Sequence, residues 1–94
     1  MANTLIKNLA LKYAKDKSAG GIVSRFSDPQ ISGYGWVSES SWHYRILLDL
    51  ARDGLVNKST RGVILAGELN YSFDATETGR EVARYIVENG LLRK

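Results

Sequence analysis

Apolar side chains recur at helical spacing near the start of the chain. They form one stripe, which contains Leu5, Ile6, Leu9, Ala10, Tyr13 and Ala14. Because asparagine is a good N-cap, this stripe predicts a helix that begins at Asn3 and runs to about Asp16. Leu11 falls on the opposite side of this helix, between Lys7 and Lys15, where it is either a stray exposed leucine or a subunit contact.

Glycine and proline divide the next part of the chain. Residues 18–21, Ser-Ala-Gly-Gly, are read as a break, and a short helix is predicted from Ile22 to about Ser27. This helix should end at Asp28, because the residue before a proline avoids helical geometry. Residues 30–37 are predicted to form a loop that leads to the third helix.

The third helix is predicted most clearly. Ser38 is a plausible N-cap, Glu39 suits the positive end of the helix dipole, and the helix runs to Asp53. Gly54 can take the left-handed position past the C-cap while Leu55 packs back on the helix, as in a Schellman motif.

A β-hairpin is predicted after this helix. Residues from Leu55 to about Thr60 form its first strand, and alternating apolar residues from Leu69 to Phe73 form a half-buried second strand. Residues 63–65, Val-Ile-Leu, are unusual for a hairpin tip, and they either extend its apolar face or contact a neighbouring subunit. Turns are expected at Arg61-Gly62 and Ala66-Gly67.

The last helix starts from Thr76, and residues 89–91, Asn-Gly-Leu, repeat the glycine ending of the third helix. It carries Val82, Ala83, Ile86 and Val87, an apolar face broad enough for both a core and a partner. The order helix, helix, helix, hairpin, helix predicts an α+β, mostly helical fold, a winged helix-turn-helix domain that spans residues 1–94.

Composition removes several kinds of site. The 94 residues include no cysteine and a single histidine, His43, so we expect no disulfide, no metal site and no cofactor. No apolar run approaches the roughly 20 residues of a membrane span, and Lys7 and Lys12 interrupt the N-terminal apolar positions. A cytoplasmic, nucleoid-associated protein is the expectation.

The net charge of +3 is unevenly distributed. Residues 1–47 hold six basic and three acidic side chains, whereas residues 48–94 hold seven of each. The basic excess therefore lies in the part of the chain with the first three predicted helices, where a polyanion can be bound.

Two segments resemble PadR-like winged-helix regulators. Around the third helix, the family's spacing is matched by Tyr44, Leu47, Leu50, Gly54, Leu55 and Val56. Residues 71–80 resemble the family's wing exit, with Thr76 and Gly79 in register and Ala75 in place of the usual leucine. The second-helix motif of the family is absent. Similar short domains also occur in archaeal plasmids and viruses, including centromere-binding partition proteins.

The resemblance implies DNA binding, and helical angles select the residues. One side of the third helix is apolar, with Tyr44 and His43 predicted to pack there. The best candidates for reading bases in the major groove are Ser38, Ser40, Ser41, Trp42 and Arg45. Arg45 ranks first, its alternative being an ion pair with Asp49, and Arg52 shares its face.

Further candidates would contact the DNA backbone. In the hairpin these are Lys58, Ser59, Thr60 and Arg61, and around the second helix they are Lys15, Lys17 and Arg25. Phosphate contacts position a protein on DNA without reading its sequence. Each of these side chains has a simpler alternative as a solvated surface residue.

No nucleophile elbow, phosphate-binding loop or metal cluster is present, so we expect no catalytic residues and no enzyme. The predicted function is sequence-specific transcription regulation by a homodimer on double-stranded DNA, with the first and last helices at the dimer interface. Two alternatives stay open: a plasmid partition protein that coats DNA, and a winged-helix adaptor that binds another protein.

Overall fold

A computed structural model describes residues 4–92, which form a small α+β fold that is about half helical. The elements in chain order are α1 Thr4–Ala14, α2 Lys17–Ser24, a short 3-10 helix Arg25–Ser27, β1 Gly33–Ser38, α3 Trp42–Arg52, β2 Val56–Lys58, β3 Val63–Leu65, β4 Glu68–Ala75 and α4 Glu77–Glu88. The sheet is antiparallel, and its central strand β4 pairs with β1 along one edge and with β2 and β3 along the other.

One core joins the helices to the inner face of the sheet. Its largest fully buried side chains are Val23, Phe26, Leu47, Leu50, Leu55, Val56, Phe73, Val82 and Ile86. Helix α4 packs against both α1 and α2. The predicted apolar stripe of α1 is buried at Ile6, Leu9, Ala10 and Tyr13, but Leu5, which was placed in the same stripe, is 57% exposed. No helix within residues 4–92 is long and apolar enough to cross a membrane.

The predicted break at residues 18–21 is wrong, because these residues lie inside α2. The carboxylate of Asp16 caps this helix by accepting a hydrogen bond from the Ser18 amide at 2.8 Å. Gly20 serves close packing rather than a turn, since a Cβ there would lie 3.1 Å from the Tyr13 carbonyl oxygen and 2.6 Å from Leu92. The predicted N-cap of α1, Asn3, lies outside the described residues.

The predicted loop at residues 30–37 is also wrong, because most of it belongs to β1. Tyr34 pairs with Phe73 and Val37 pairs with Tyr71, so one extra residue bulges between the two pairs. Both side chains contribute to the inner face although they are three residues apart. The bulge therefore breaks the period of two by which a strand is recognised.

Helix α3 begins after Ser41 rather than after Ser38, which ends β1. The Glu39 amide donates to the Leu69 carbonyl at 3.2 Å and so continues the pairing with β4 beyond the strand. The end of α3 is as predicted: Gly54 has a φ of +80°, and the Leu55 amide donates to the Leu50 carbonyl at 2.8 Å.

The hairpin is longer than predicted, because Val63–Leu65 form a third strand, β3, that pairs with β4. A two-residue turn joins them, and both of its residues, Ala66 and Gly67, have positive φ angles of 51° and 79°. The apolar tip thus extends the hairpin, with Ile64 and Leu65 exposed.

The start of α4 fastens three parts of the chain together. The Thr76 hydroxyl, at the predicted start of this helix, accepts from the Gly79 amide at 3.0 Å and donates to the Gly54 carbonyl at 2.6 Å. Gly79 lets the backbone of Leu55 approach, since a Cβ would lie 2.0 Å from the Leu55 carbonyl oxygen. The Arg80 guanidinium donates to the carbonyls of Phe26, Asp28 and Ile31 at 3.1, 3.4 and 3.0 Å.

Candidate nucleic-acid interface

Helix α3 has one buried and one exposed side. Leu47 and Leu50 are fully buried, and the Tyr44 ring packs edge-on against Phe73 with 5.9 Å between ring centres. Arg45 and Trp42 are exposed on the other side, and Trp42 keeps 69% of its surface accessible. The helical angles therefore predicted correctly which side of α3 is exposed.

Arg45 is a free cation on that exposed side. The alternative pairing predicted for it does not form, because Asp49 pairs with Arg52 instead, at 3.3 Å. Within residues 4–92, Arg45 has no hydrogen bond, ion pair or ring contact. Its guanidinium is thus available to a ligand, whereas Arg52 is partly neutralised.

The C-terminal end of α3 is fastened to α1. Asp53 accepts from the Lys12 ammonium at 2.6 Å and from the Tyr13 hydroxyl, which also lies 3.1 Å from the Asp49 carbonyl oxygen. Hydrogen bonds from Lys12 and Tyr13 hold the pKa of the Asp53 carboxyl below its ordinary value. Burial, and then the bond to Asp53, raise the pKa of the Tyr13 phenol.

Ser38 and Ser40 differ from the prediction in position and in partners. They precede α3, and both hydroxyls donate to the Glu68 carboxylate at the start of β4. These two hydrogen bonds lower the pKa of Glu68. A carboxylate that the sequence reasoning missed therefore occupies two of the predicted base-reading donors and places a negative charge beside α3.

Ser41 and His43 pair with each other at the first turn of α3. The Ser41 hydroxyl lies 2.6 Å from His43 Nδ1 and makes no capping bond to the backbone. This contact agrees with the prediction that His43 is a packed residue with a satisfied ring nitrogen, since the side chain is also half-buried. Ser41 lies at the N-cap position of α3, where the sequence predicted a base-reading residue.

The four candidates of the hairpin fall into two pairs. The Lys58 ammonium lies 3.9 Å from the Tyr71 ring centre and 5.9 Å from that of Tyr44, so two rings hold it beside α3. Ser59 is used by the hairpin itself, because its hydroxyl accepts from the Ser72 amide at 3.1 Å. Thr60 and Arg61 are exposed at the connection to β3.

The cations around α2 are exposed but spread out. Lys15 and Lys17 flank the capping Asp16 at the start of α2, and Arg25 follows its end. Arg25 shares a cleft with Trp42 and His43 of α3. Its guanidinium lies 5.4 Å from the Tyr34 ring centre, in a cleft that the first turn of α3 also lines.

Two concavities flank the start of α3, with Trp42 lining both. One, of about 440 Å³, also contains Ser40, Ser41 and Arg45. The other, of about 350 Å³, lies between α2, β1 and α3 and contains Arg25, Ile22, Tyr34 and His43. The free arginine and the exposed tryptophan therefore lie at the same end of the helix.

Comparison with protein-family models, with curated proteins and with solved structures gave no match to this chain. The resemblance to PadR-like regulators accordingly stays a prediction from the two sequence segments.

Proposed function

We propose that this chain is a winged helix-turn-helix domain that binds double-stranded DNA. Helix α3 enters the major groove, and Arg45 pairs with a guanine edge there. The observation that carries the proposal is the state of Arg45, which is exposed and has no partner within residues 4–92. A structural surface arginine on a helix would commonly pair with a carboxylate three or four residues away, as Arg52 does with Asp49.

The β2–β4 hairpin acts as the wing in this proposal. The Tyr44 and Tyr71 rings hold the Lys58 ammonium beside α3, where it can contact a phosphate next to the groove. Arg61 lies farther out and can reach the backbone or the minor groove. Lys15, Lys17 and Arg25 supply further phosphate contacts, which position the protein without reading sequence.

We further propose that the domain works as a homodimer through α1 and α4. Three apolar side chains on these helices remain 57%, 42% and 52% exposed, namely Leu5, Leu11 and Val87. A two-fold interface would cover them and would place two copies of α3 on one duplex, about one helical turn apart. This arrangement suits a regulator that binds a pseudo-palindromic site.

A salt titration tests the DNA proposal directly. Fluorescence polarisation would follow the binding of the wild-type protein and Arg45→Ala to a labelled random duplex at several salt concentrations. We expect the wild-type association constant to fall with salt at a log–log slope near −0.9 per phosphate contact. Arg45→Ala should bind a duplex that the wild type has selected from the random pool at least about fivefold more weakly, because it lacks a base contact in the major groove.

Arg84→Ala is the matched control. Arg84 is an exposed arginine on α4 that pairs with Glu77 at 3.5 Å and is not among the proposed DNA contacts. Because α4 also belongs to the proposed dimer interface, the mass of Arg84→Ala in solution should first be shown to equal that of the wild type. This variant should bind like the wild type although it loses the same charge. If Arg45→Ala and Arg84→Ala bind equally well, or if no protein binds at low salt, the proposed role of α3 is wrong and a protein partner becomes the alternative to test.

The exposed hairpin tip favours a second candidate, a protein that coats DNA. Ile64 and Leu65 on β3 are both exposed, and neighbouring molecules on one duplex can meet there. A nuclease footprint separates the two roles. A short protected site of constant length indicates a regulator, whereas a protected tract that lengthens with protein concentration and shortens in Ile64→Ser indicates coating.

A further inference from the structure

Three of the seven residues that line the cleft between α2, β1 and α3 carry aromatic rings, namely Tyr34, Trp42 and His43. His43 lies between its neighbours, with ring centres 5.1 Å from Trp42 and 6.0 Å from Tyr34. Ile22 adds an apolar side chain to the lining. Trp42 is 69% exposed although it is the largest of these groups, so most of its surface is open to a ligand.

A cation accompanies the rings. The guanidinium of Arg25 lies over the Tyr34 ring, 5.4 Å from its centre, and Arg25 is exposed. Within residues 4–92 this arginine has no ion pair, so its positive charge is not neutralised by a carboxylate. A ligand that combines a planar ring with a negative group would match both features.

The dimensions of the cleft fit one such ring. Its volume of about 350 Å³ lies at the lower end of the range for small-molecule pockets, roughly 300–1,000 Å³. Gly21 lines the cleft, and a Cβ built there meets no heavy atom within 4 Å. A larger side chain at this helical position would therefore extend into open space rather than into the core.

We propose that the cleft binds one unstacked nucleobase of single-stranded DNA, with an adjoining phosphate on Arg25. Aromatic side chains accept any base by stacking, and a neighbouring cation holds the strand. The proposal rests on the proposed DNA-binding function only for the placement of DNA at the start of α3. It adds a second substrate, since a paired base in a duplex stays in the helical stack and cannot enter the cleft.

Tryptophan fluorescence provides the experiment, because the chain has only two tryptophans. Trp36→Phe leaves Trp42 as the reporter, and titration with a thymidine oligonucleotide of about ten residues should quench its emission. Binding of a labelled oligonucleotide should be about tenfold weaker in Trp42→Leu. Trp36→Leu is the matched control, because Trp36 is also half exposed, at 51%, but does not line the cleft.

Gly21 supplies a blocking variant that leaves every aromatic group in place. Gly21→Leu should fill the cleft and weaken oligonucleotide binding about as much as Trp42→Leu does. Gly21→Ala should bind like the wild type. If Trp42→Leu and Gly21→Leu both bind the single strand as the wild type does, the proposal is overturned. The same holds if thymidine monophosphate quenches Trp42 and the oligonucleotide does not.

Duplex binding by the same variants separates this proposal from the proposed function. Loss of single-strand binding in Gly21→Leu with duplex binding retained supports both. If the wild type binds the oligonucleotide in a Trp42-dependent way but binds no duplex, the cleft proposal stands and the duplex proposal fails. If Gly21→Leu loses both to the same extent, the cleft is part of a general DNA surface and the proposal is overturned.

Discussion

The two ends of α3 differ in how their polar groups are used. At the C-terminal end, Asp53 is bound by Lys12 and Tyr13 of α1, and Asp49 pairs with Arg52. At the N-terminal end, Trp42 and Arg45 project into solvent. Both ends belong to one helix of 11 residues. The difference in exposure therefore comes from what packs against each end and not from helix propensity.

The two ends of α3 therefore have different roles, one within the fold and one at the surface. At the fastened end the carboxylates of Asp49 and Asp53 are paired with Arg52 and Lys12, and the Asp53 contacts join α3 to α1. The open end retains charge and apolar surface that the fold does not need. Substitutions at the first end should therefore act on stability, and substitutions at the second should act on binding.

The largest expected effect concerns Gly79 of α4, which lies against Leu55, the residue after the glycine that ends α3. In Gly79→Val the new Cβ would meet the Leu55 carbonyl oxygen at 2.0 Å, and this backbone atom has little room to move. We expect a loss of about 3 kcal/mol in the free energy of unfolding. Urea denaturation followed by circular dichroism would measure it.

Gly21→Ala is the control for that prediction, because Gly21 is a helical glycine in open space. It should raise the free energy of unfolding by about 0.5–1 kcal/mol, since alanine is the better helix former. Equal stability of Gly79→Val and the wild type would show that α4 does not approach Leu55 as described.

Arg80→Met should have the next largest effect. It removes the donors to the carbonyls of Phe26, Asp28 and Ile31, and a hydrogen bond from a charged group contributes more than a neutral one. We expect a loss of about 2 kcal/mol, measured as a lowered Tm. Arg84→Met, on the same helix, should cost at most about 0.5 kcal/mol, and an equal loss in both variants would contradict the role of Arg80.

The pH dependence of stability tests the Asp53 contact. Because the folded pKa of Asp53 is depressed, its contribution is present above its ordinary pKa of 3.8 and is lost as pH falls towards the lower folded value. The pKa of Tyr13 is raised, so its contribution is lost above its ordinary pKa of 10.0.

Two variants separate these contributions. Asp53→Asn should flatten the acid limb of the stability curve, and Tyr13→Phe should flatten the alkaline limb and cost about 1 kcal/mol at neutral pH. Chemical denaturation in a series of buffers would measure both. If the acid limb of the stability curve is unchanged in Asp53→Asn, other carboxylates are responsible for the acid limb.

The smallest expected effect is at the open end, where Glu68→Gln removes a negative charge. Glutamine can still accept the hydroxyls of Ser38 and Ser40, so stability should change little. Duplex binding at low salt should become about threefold tighter, because a carboxylate no longer repels phosphate. Glu81→Gln on α4 is the control, and equal tightening in both variants would point to net charge alone.

Features set by neighbouring residues could be predicted from the sequence. The glycine ends of α3 and α4 are local, since Gly54 and Gly90 each follow the last turn and the next leucine bonds back to its helix. The exposure of Arg45 follows from helical angles alone. These predictions need only a few consecutive residues.

Features that depend on distant partners could not be predicted. The bulge between Tyr34 and Val37 hides the alternation of inward and outward side chains along β1. The strand can therefore be recognised only by its pairing with β4. Glu68 lies 30 residues from Ser38, and no local pattern joins them. The glycines at 20 and 21 resemble a turn, although Gly20 packs against α1 instead.

The tie between the hairpin and the start of α3 has a mechanical consequence. Glu68 accepts from Ser38 and Ser40, and the Glu39 amide donates to the Leu69 carbonyl, so these hydrogen bonds join the segment before α3 to the start of β4. In the proposed complex they limit how far α3 and the hairpin can shift relative to each other on a duplex. The DNA would have to bend or twist to meet both, and sequences that deform at low cost would be favoured even at positions that no side chain touches.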